Sequence, residues 1–560
     1  MSERGPLTEP VSGDIHRLTD AGKEHIADLV TNVDGQVFAW TEKADKHMVA
    51  TQNMRKSRSR NDGRVIYAKE FSGGEDRDLQ VAFRVSQEFG DDSVQQLYSV
   101  DMDITGLSQL ATKQVEWHRT GIAYLERSTR YVPYDEKLPE HIPLEAEVLA
   151  QPPTDYTEKD TFDEYRYVTP STITGNDRLL FRALTDSLFD NYTRAVERTT
   201  DYVRQTTPRD PSVLEKVWLE ATKAKALDAA RALLPSSART TVGFHATAQA
   251  VNHLVMRLRA SDIPEAVELG DQVQTEARKL SPVFFERTDW PHRGGEHVRF
   301  YKDNREAVHK AAERYLPPKS AQKIGGQVVR LTNYYPEDEF ALLPYMLYEE
   351  ADSGYSLEDI RAEIDGLSHR QKLNILKAYM GNPTNRRHRP GRALERAVYD
   401  WDLVTDFGAF RDLQRHRAVS DLKWQRLTVA HGFDVPPLLQ EVGLAPLCER
   451  SVRLSESLYE TLQTHGHQPE SQYAVLLGHR LRWTWQTNAR ANKHIFELRS
   501  QPAGHPSYRK TVQTMHKLAS EAHPYLAKYS MPFMNWNEDA ELGRLDQEIA
   551  LEHKRQLHRS

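Results

Sequence analysis

The sequence predicts an α+β fold built as a tandem duplication of one helix-rich unit, and three observations predict it. At 560 residues the chain is too long for one ordinary core. Helical periodicities dominate it, with short alternating apolar runs between them. The stretch Asp412-Leu413-Gln414-Arg415-His416-Arg417-Ala418-Val419-Ser420 has a distorted echo in the first half. There Gln114-Val115-Glu116-Trp117-His118-Arg119-Thr120 keeps the His-Arg pair, and Glu126-Arg127-Ser128-Thr129-Arg130-Tyr131 follows closely. Two copies that each keep different parts of one motif are copies that have specialised.

In chain order, the polar residues 1–15 hold too few apolar groups to offset the entropy of ordering and are expected to be a disordered tail. A first domain is expected over 16–290. Within it, the stretch from Val33 to Trp40 pairs a turn signal with an alternating run and predicts a turn into a strand. Leu107, Leu110, Ala111 and Val115 predict a helix to about Trp117. Glu126, Ser128 and Arg130 fall at i, i+2 and i+4, on one side of an expected extended segment. Pro-rich, acidic sequence over 139–160 is expected to be an excursion. Helices are predicted to begin near Leu179, to run from Val213 to Leu234 before Pro235, to run from about Phe244 through Leu258, and to start again at Pro264. Pro, Gly and basic residues over 291–326 are expected to form a linker, with the main boundary at Gly325-Gly326.

The second domain is expected over 327–540. It opens with a strand from Val328 to Tyr335 and one or two helices from Leu357 to Met380. A helical segment then runs into Arg415, with further helices predicted from Val452 to Leu462, Trp483 to Leu498 and Tyr508 to Leu526. A charged C-terminal segment, 541–560, ends the chain.

Composition narrows the function. With 39% hydrophobic and 28% charged residues, the chain has the balance of a globular protein that buries its own core. Cys448 is the only cysteine, which rules out an intrachain disulfide and cysteine-rich metal sites; it favours a reducing, cytoplasmic setting. A net charge of -7 argues against bulk attraction to nucleic acid or anionic membrane, so phosphate binding must be local. No secretory leader and no apolar run of membrane-spanning length are evident. The histidine pairs His465/His467 and His292/His297 lack a carboxylate and third ligand in metal-site spacing, so no metal is expected.

The residues of the two motifs point to an anionic ligand. Arginine presents a planar fork of donors that matches phosphate, and neighbouring His and Ser add further donors. Glu126, Ser128 and Arg130 could form an anion clasp or a surface salt bridge; Arg231 could bind a ligand or cap its helix. Asn488, Asn492 and Arg499 fall on one helical stripe, with Arg490 and His494 on another.

These motifs resemble the flavin-dependent thymidylate synthases, whose signature is R-H-R-x-x-S-x-N-E-x-S-x-R-Y. The second copy keeps Arg415, His416, Arg417 and Ser420, but has Leu422 and Lys423 where the family has Asn and Glu. The first copy has Trp117 for the leading arginine and keeps His118, Arg119, Glu126, Ser128, Arg130 and Tyr131. The resemblance implies a helix-rich domain with a small sheet in each copy and reductive methylation of dUMP to dTMP. It implies FAD as cofactor, with NADPH and methylenetetrahydrofolate as co-substrates. By resemblance, Glu395, Arg415, His416, Arg417, Ser420, Asn488, Arg490 and His494 grip FAD. Gln114, Glu126, Ser128, Arg130 and Arg231 hold the nucleotide, and Arg499 polarises the pyrimidine. The family builds its sites between subunits of a homotetramer, so this chain is expected to form composite sites and to pair as a homodimer. The departures from the signature leave two further readings: a flavoenzyme acting on another pyrimidine nucleotide, and a non-catalytic flavin- or nucleotide-binding paralogue.

Overall fold

A computed structural model of the chain describes residues 6–72, 92–117, 119–134, 166–211, 213–417 and 419–537, together with 543, 545 and 549. The predicted excursion at 139–160, His118 and nearly all of the charged C-terminal segment lie outside these residues. By contact the chain divides into two compact units that interleave in sequence. The first comprises Met1–Leu107, Ala111–Glu126 and Thr240–Pro318; the second comprises Ser108–Leu110, Arg127–Arg239 and Lys319–Ser560.

The first unit opens with a hairpin of β1 (Thr8–Ser12) and β2 (Ile15–Leu18), turned at Gly13, whose φ of 58° suits glycine. This part of the predicted tail is therefore ordered, because Leu18 packs on a core of Ile26, Val30, Ile66, Tyr67 and Phe71. The strand predicted before Trp40 is reduced to one bridge between Val30 and Trp40, with Phe38 and Trp40 packing on that same core. A three-stranded sheet follows, of β3 (Ser99–Ser108), β4 (Ile122–Glu126) and β5 (Arg239–Thr247), in the order β3-β5-β4. The helix predicted from Leu107 is Gln109–Val115, since Leu107 belongs to β3. The helix predicted from Phe244 starts only at Ala248: Val242, Phe244 and Ala246 alternate inward with the period of a strand. Thr247 then caps the helix Ala248–Arg259, its hydroxyl accepting from Ala250 N at 3.2 Å. Much of the predicted linker is the helix Gly294–Tyr315. Gly294 is its one buried residue; Val298, Tyr301, Val308, Ala312 and Tyr315 recur at helical spacing, but that stripe is half-buried at most.

Lys113 is buried in the first unit, where its Nζ donates to Glu116 Oε2 at 2.5 Å and to Glu126 Oε2 at 3.1 Å. All three side chains are at most 3% exposed.

The second unit contains the helices Gly175–Thr206 and Glu215–Ala230 and an antiparallel sheet. Its strands β6 (Val328–Tyr335), β7 (Val398–Asp406), β8 (Asp421–Trp424) and β9 (Arg480–Asn488) lie in the order β6-β7-β9-β8. With β6 set aside, β7-β9-β8 repeats β3-β5-β4, and in each set a helix follows the first and the last strand in sequence. The fold is thus α+β and helix-rich, with a small sheet recurring along the chain. The segment from Leu357 to Met380 is two helices, Leu357–Asp365 and His369–Met380, each opened by a capping box. The helix predicted from Trp483 begins at Ala489, because Leu481, Trp483, Trp485 and Thr487 alternate inward along β9. Trp401 stands opposite Trp485, and its Nε1 donates to Thr487 Oγ1 at 2.9 Å. The last predicted helix breaks at His523 before Pro524, giving Pro506–Ala522 and Pro524–Ser530.

Lys113→Ala leaves two buried carboxylates without their shared cation, and is expected to cost about 3–5 kcal/mol of unfolding free energy. Lys113→Met combined with Glu116→Gln and Glu126→Gln is expected to recover most of that loss. Urea denaturation of the three proteins checks this; a loss below about 1 kcal/mol for the single variant, the range of an exposed pair, would contradict it.

Candidate functional site

Two short segments run antiparallel in the second unit, one from each half of the sequence. Leu477 N–H donates to Leu234 O at 2.8 Å, Gly478 N–H to Ala232 O at 2.9 Å, and Ser236 N–H to Val475 O at 2.8 Å, with Pro235 bridging Leu476. The same second-half segment anchors the helix Phe407–Gln414: Phe407 and Gly408 N–H donate to His479 O and Leu477 O at 2.9 and 2.8 Å. Asp406 caps that helix, accepting from Ala409 N at 2.8 Å. One backbone segment thus ties Arg231, which ends the helix Glu215–Ala230, to the helix that carries Asp412.

Arg231 Nη1 donates to Asp412 Oδ2 at 3.0 Å, with the two side chains 3% and 9% exposed. Burial would raise the Asp412 pKa, but Arg231, then Arg415, Arg499 and Arg130, hold it well below the ordinary carboxylate range. Asp412 is therefore an ionised carboxylate among four guanidinium groups. Arg231 Nη2 is buried with no hydrogen-bond partner among the described residues, so one donor remains unmatched beside this pair.

Arg130 belongs to the same unit. Its Nε and Nη2 grip Asp228 at 2.7 and 2.8 Å, Nη1 donates to Tyr508 Oη at 3.1 Å, and Nη2 also donates to Ala503 O at 3.0 Å. The fork expected to meet a phosphate is thus filled by Asp228. Ser128 Oγ accepts from Arg130 N at 3.2 Å, because β4 ends at Glu126 and a turn over Ser128–Val132 replaces the predicted extended segment. Arg499 ends the helix Ala489–Arg499; its Nε donates to His416 Nε2 at 2.8 Å, and its guanidinium lies 5.3 Å from the Tyr508 ring centroid. Neutral His416 then carries its proton on Nδ1. The Nη1 and Nη2 groups of Arg499 make no hydrogen bond to another described residue. A cavity of about 620 Å³ opens against Arg231, Asp228, Ala503, His505, Ser507 and Pro436, within the size range of small-molecule sites.

The remaining predicted residues fall into two groups. Asn488 caps the helix Ala489–Arg499, its Oδ1 accepting from Ala491 N at 2.8 Å. Arg490 donates from Nη1 to Glu395 Oε1 at 2.9 Å and from Nε to Pro390 O at 3.1 Å, which anchors the basic loop ending at Arg392. His494 lies 5.7 Å from His416, ring to ring; partial desolvation, then Arg389, Arg386 and Arg499, lower its pKa. Arg415, Arg417 and Ser420 are exposed, and Ser420 N–H donates to Gln486 O at 3.2 Å. Gln114 and Glu126 belong to the first unit, where Glu126 is engaged by Lys113.

Asp228, Tyr508 and His505 were not among the predicted site residues. Asp228 stands three residues before Arg231, on the same helical face, a spacing that could have suggested it. His505 caps the helix Pro506–Ala522 and Tyr508 lies in its first turn, with no motif to mark either. His505 Nε2–H donates to Asp228 O at 2.9 Å and Nδ1 accepts from Ser507 N at 3.2 Å, which fixes a neutral ring. Burial, then Arg231, press its pKa down to about 3.

A family model described as "thymidylate synthase complementing protein" matches the chain twice, over residues 36–283 and 330–525. The UPF0159 protein of Chlamydia muridarum is 29% identical over 545 residues, covering 94% of this chain and 97% of its own length. The UPF0159 protein of Thermoplasma acidophilum is 28% identical over 502 residues, covering 87% of this chain and 95% of its own. Among solved structures, the UMP/dUMP methylase PolB from Streptomyces cacaoi bound with 5-Br dUMP aligns with a TM-score of 0.31 and 16% identity, over 38% of this chain and 98% of that one.

The neutral histidines set an acid limit. His505 and His479 have pKa values near 3 in the fold and His516 near 4, against an ordinary 6.5. Below pH 6.5 the unfolded chain therefore takes up protons that the folded chain does not, and stability falls as pH drops towards these folded values. The expected loss is about 1 kcal/mol per histidine between about pH 7.5 and about pH 5.5. Urea midpoints at the two pH values check this, and His505→Gln is expected to lose its share of the difference.

Proposed function

Since the chain belongs to the thymidylate synthase complementing protein family, the flavin-dependent thymidylate synthases, in duplicated form, we propose that it converts dUMP to dTMP by reductive methylation, with FAD as cofactor and methylenetetrahydrofolate and NADPH as co-substrates. The observation that carries this reading is the gathering of Arg130, Arg231, Arg415 and Arg499 around Asp412, beside a cavity of about 620 Å³. Cationic forks next to a concave volume suit a phosphorylated ring.

The two halves of the sequence contribute different parts of this site. Arg231, from the first half, faces the cavity and holds the phosphate. Arg130 is tied to Asp228, Tyr508 and Ala503, so it holds the wall that Arg231 and Asp228 share and meets the phosphate only by exchanging a partner. Arg499, from the second half, turns its free Nη groups to a pyrimidine carbonyl and stabilises negative charge that develops there. His416 and Tyr508 fix its plane.

The donor set around the helix Ala489–Arg499 fits a dinucleotide cofactor. Arg386, Arg389 and Arg499 act on His494, Arg490 pairs with Glu395, and Arg415 and Arg417 stand exposed in the same unit, a set of cations suited to a diphosphate. These arginines, with His416, Ser420, Asn488 and neutral His494, would hold FAD. Bound FAD supplies the hydride; the chain supplies orientation and electrostatics. Cys448 is fully buried and its thiol is pushed up to about 11 by desolvation, so it offers no thiolate nucleophile. Two such chains pair to give the family's four-copy arrangement.

The purified chain is expected to carry FAD and to form dTMP from dUMP when NADPH and methylenetetrahydrofolate are added. Arg499→Ala is expected to lower kcat/KM by about 10³-fold or more without changing the far-UV circular dichroism. No flavin uptake with dUMP present, or unchanged turnover in the variant, would defeat the reading.

A further inference from the structure

A second, smaller cavity of about 130 Å³ lies in the second unit, lined by Lys493 of the helix Ala489–Arg499 and by Ser530, Asn382 and Arg389. It goes beyond the reading above and stands without it. Lys493 and Ser530 are each 2% exposed, whereas Asn382 and Arg389 are exposed, so the cavity has a buried floor and an open mouth. Its volume is well below the roughly 300 Å³ at which sites for drug-sized molecules begin. One compact group fits there, within reach of all the lining residues, and a ring system does not.

The floor and mouth offer donors and positive charge. Ser530 Oγ is buried with no hydrogen-bond partner among the described residues, a state that folded chains rarely leave unmet. Lys493 Nζ gives one N–H to Glu497 Oε2 at 2.6 Å, and an ammonium carries three. Glu497 itself stands outside the cavity and also accepts from Phe533 N at 3.1 Å. Arg389 makes no hydrogen bond or ion pair with another described residue. The His388 ring is taken up within its own loop by Thr384 N and Asn385 Nδ2. No aspartate or glutamate lines the cavity among the described residues.

Two helices, His369–Met380 and Pro524–Ser530, end at this cavity, and their C-terminal carbonyls favour cations. Lys377 and Lys528 in their last turns answer that charge; both ammonium groups flank the Tyr529 ring, 5.2 and 5.5 Å from its centroid. Arg389 and the two remaining N–H groups of Lys493 are therefore left for a ligand.

We propose that this cavity binds a single phosphate-sized oxyanion, held by the Ser530 hydroxyl, the Lys493 ammonium and the Arg389 guanidinium. A tetrahedral oxyanion presents acceptors in every direction, which suits donors that converge from different elements. Arg389 precedes Pro390, whose carbonyl accepts from Arg490 Nε at 3.1 Å, so the bound anion would pin the basic loop to the helix that carries Arg490 and His494. The group is either free phosphate or one phosphate of a larger ligand whose remainder stays outside.

The test is calorimetric titration of inorganic phosphate into the full chain in phosphate- and sulfate-free buffer, using the wild type, Ser530→Ala and Arg389→Gln. Saturable binding by the wild type is expected, weakened by about tenfold in Ser530→Ala and by about threefold or more in Arg389→Gln. Phosphate that also binds beside Arg231 is insensitive to these substitutions, so the variant-sensitive event is the one read. Repeating the titration with FAD present separates the sources: unchanged binding assigns the cavity to free phosphate, and competition assigns it to a cofactor phosphate. A chain that takes up no flavin would defeat the proposed function and leave the phosphate titration intact. No saturable binding at millimolar phosphate, or equal affinity in the wild type and both variants, would overturn the inference. Arg389 is exposed, so Arg389→Gln keeps the test decisive should Ser530→Ala not fold.

Discussion

The ion pair between Arg231 and Asp412 constrains the second unit because neither partner can be buried without the other. Removing one partner of such a pair typically costs about 3–5 kcal/mol, since a desolvated charge is left behind. The pair is held by backbone on both sides: Leu477 serves the Ala232–Leu234 strip through Leu234 O and the Asp412 helix through Gly408 N. Residues 181 positions apart in sequence are thereby fixed 3.0 Å apart. The other charged groups arrange themselves around that fixed point.

Duplication explains why such a pair can exist. In a single-copy protein that assembles with itself, each position must serve every site it enters. In a fused chain, the copy that carries Arg231 and the copy that carries Asp412 can diverge, and a carboxylate can enter a cluster of arginines. The same freedom accounts for Asp228 filling the fork of Arg130. The proposed nucleotide site is accordingly richer in internal counter-ions than a cationic motif implies.

Much of this was legible in the sequence. The repeated motif announced the duplication, which two family matches and the repeated strand order bear out. Arg130, His416 and Arg499 were singled out by residue type and spacing and Arg231 by the family resemblance, and the strand from Val328 to Tyr335 was read at its true bounds. The boundaries between β5 and its helix, and between β9 and its helix, were missed because inward-facing Phe, Trp and Leu satisfy both periodicities over a few residues. The helix Gly294–Tyr315 was missed because the Pro, Gly and basic residues flanking it read as a linker and masked the apolar spacing of Val298, Tyr301, Val308, Ala312 and Tyr315. Tyr508 and His505 acquire their roles only through contacts across hundreds of residues, Arg130 to Tyr508 over 378 positions and His505 to Asp228 over 277, and no local pattern encodes those.

The central claim is that the halves of the sequence build one nucleotide site between them rather than one site each. The most direct test is the number of dUMP molecules bound per chain at saturation, measured by equilibrium dialysis on the flavin-loaded protein. One per chain, lost in both Arg231→Ala and Arg499→Ala, is the result this account requires. Two per chain, with each substitution removing only one, would contradict it.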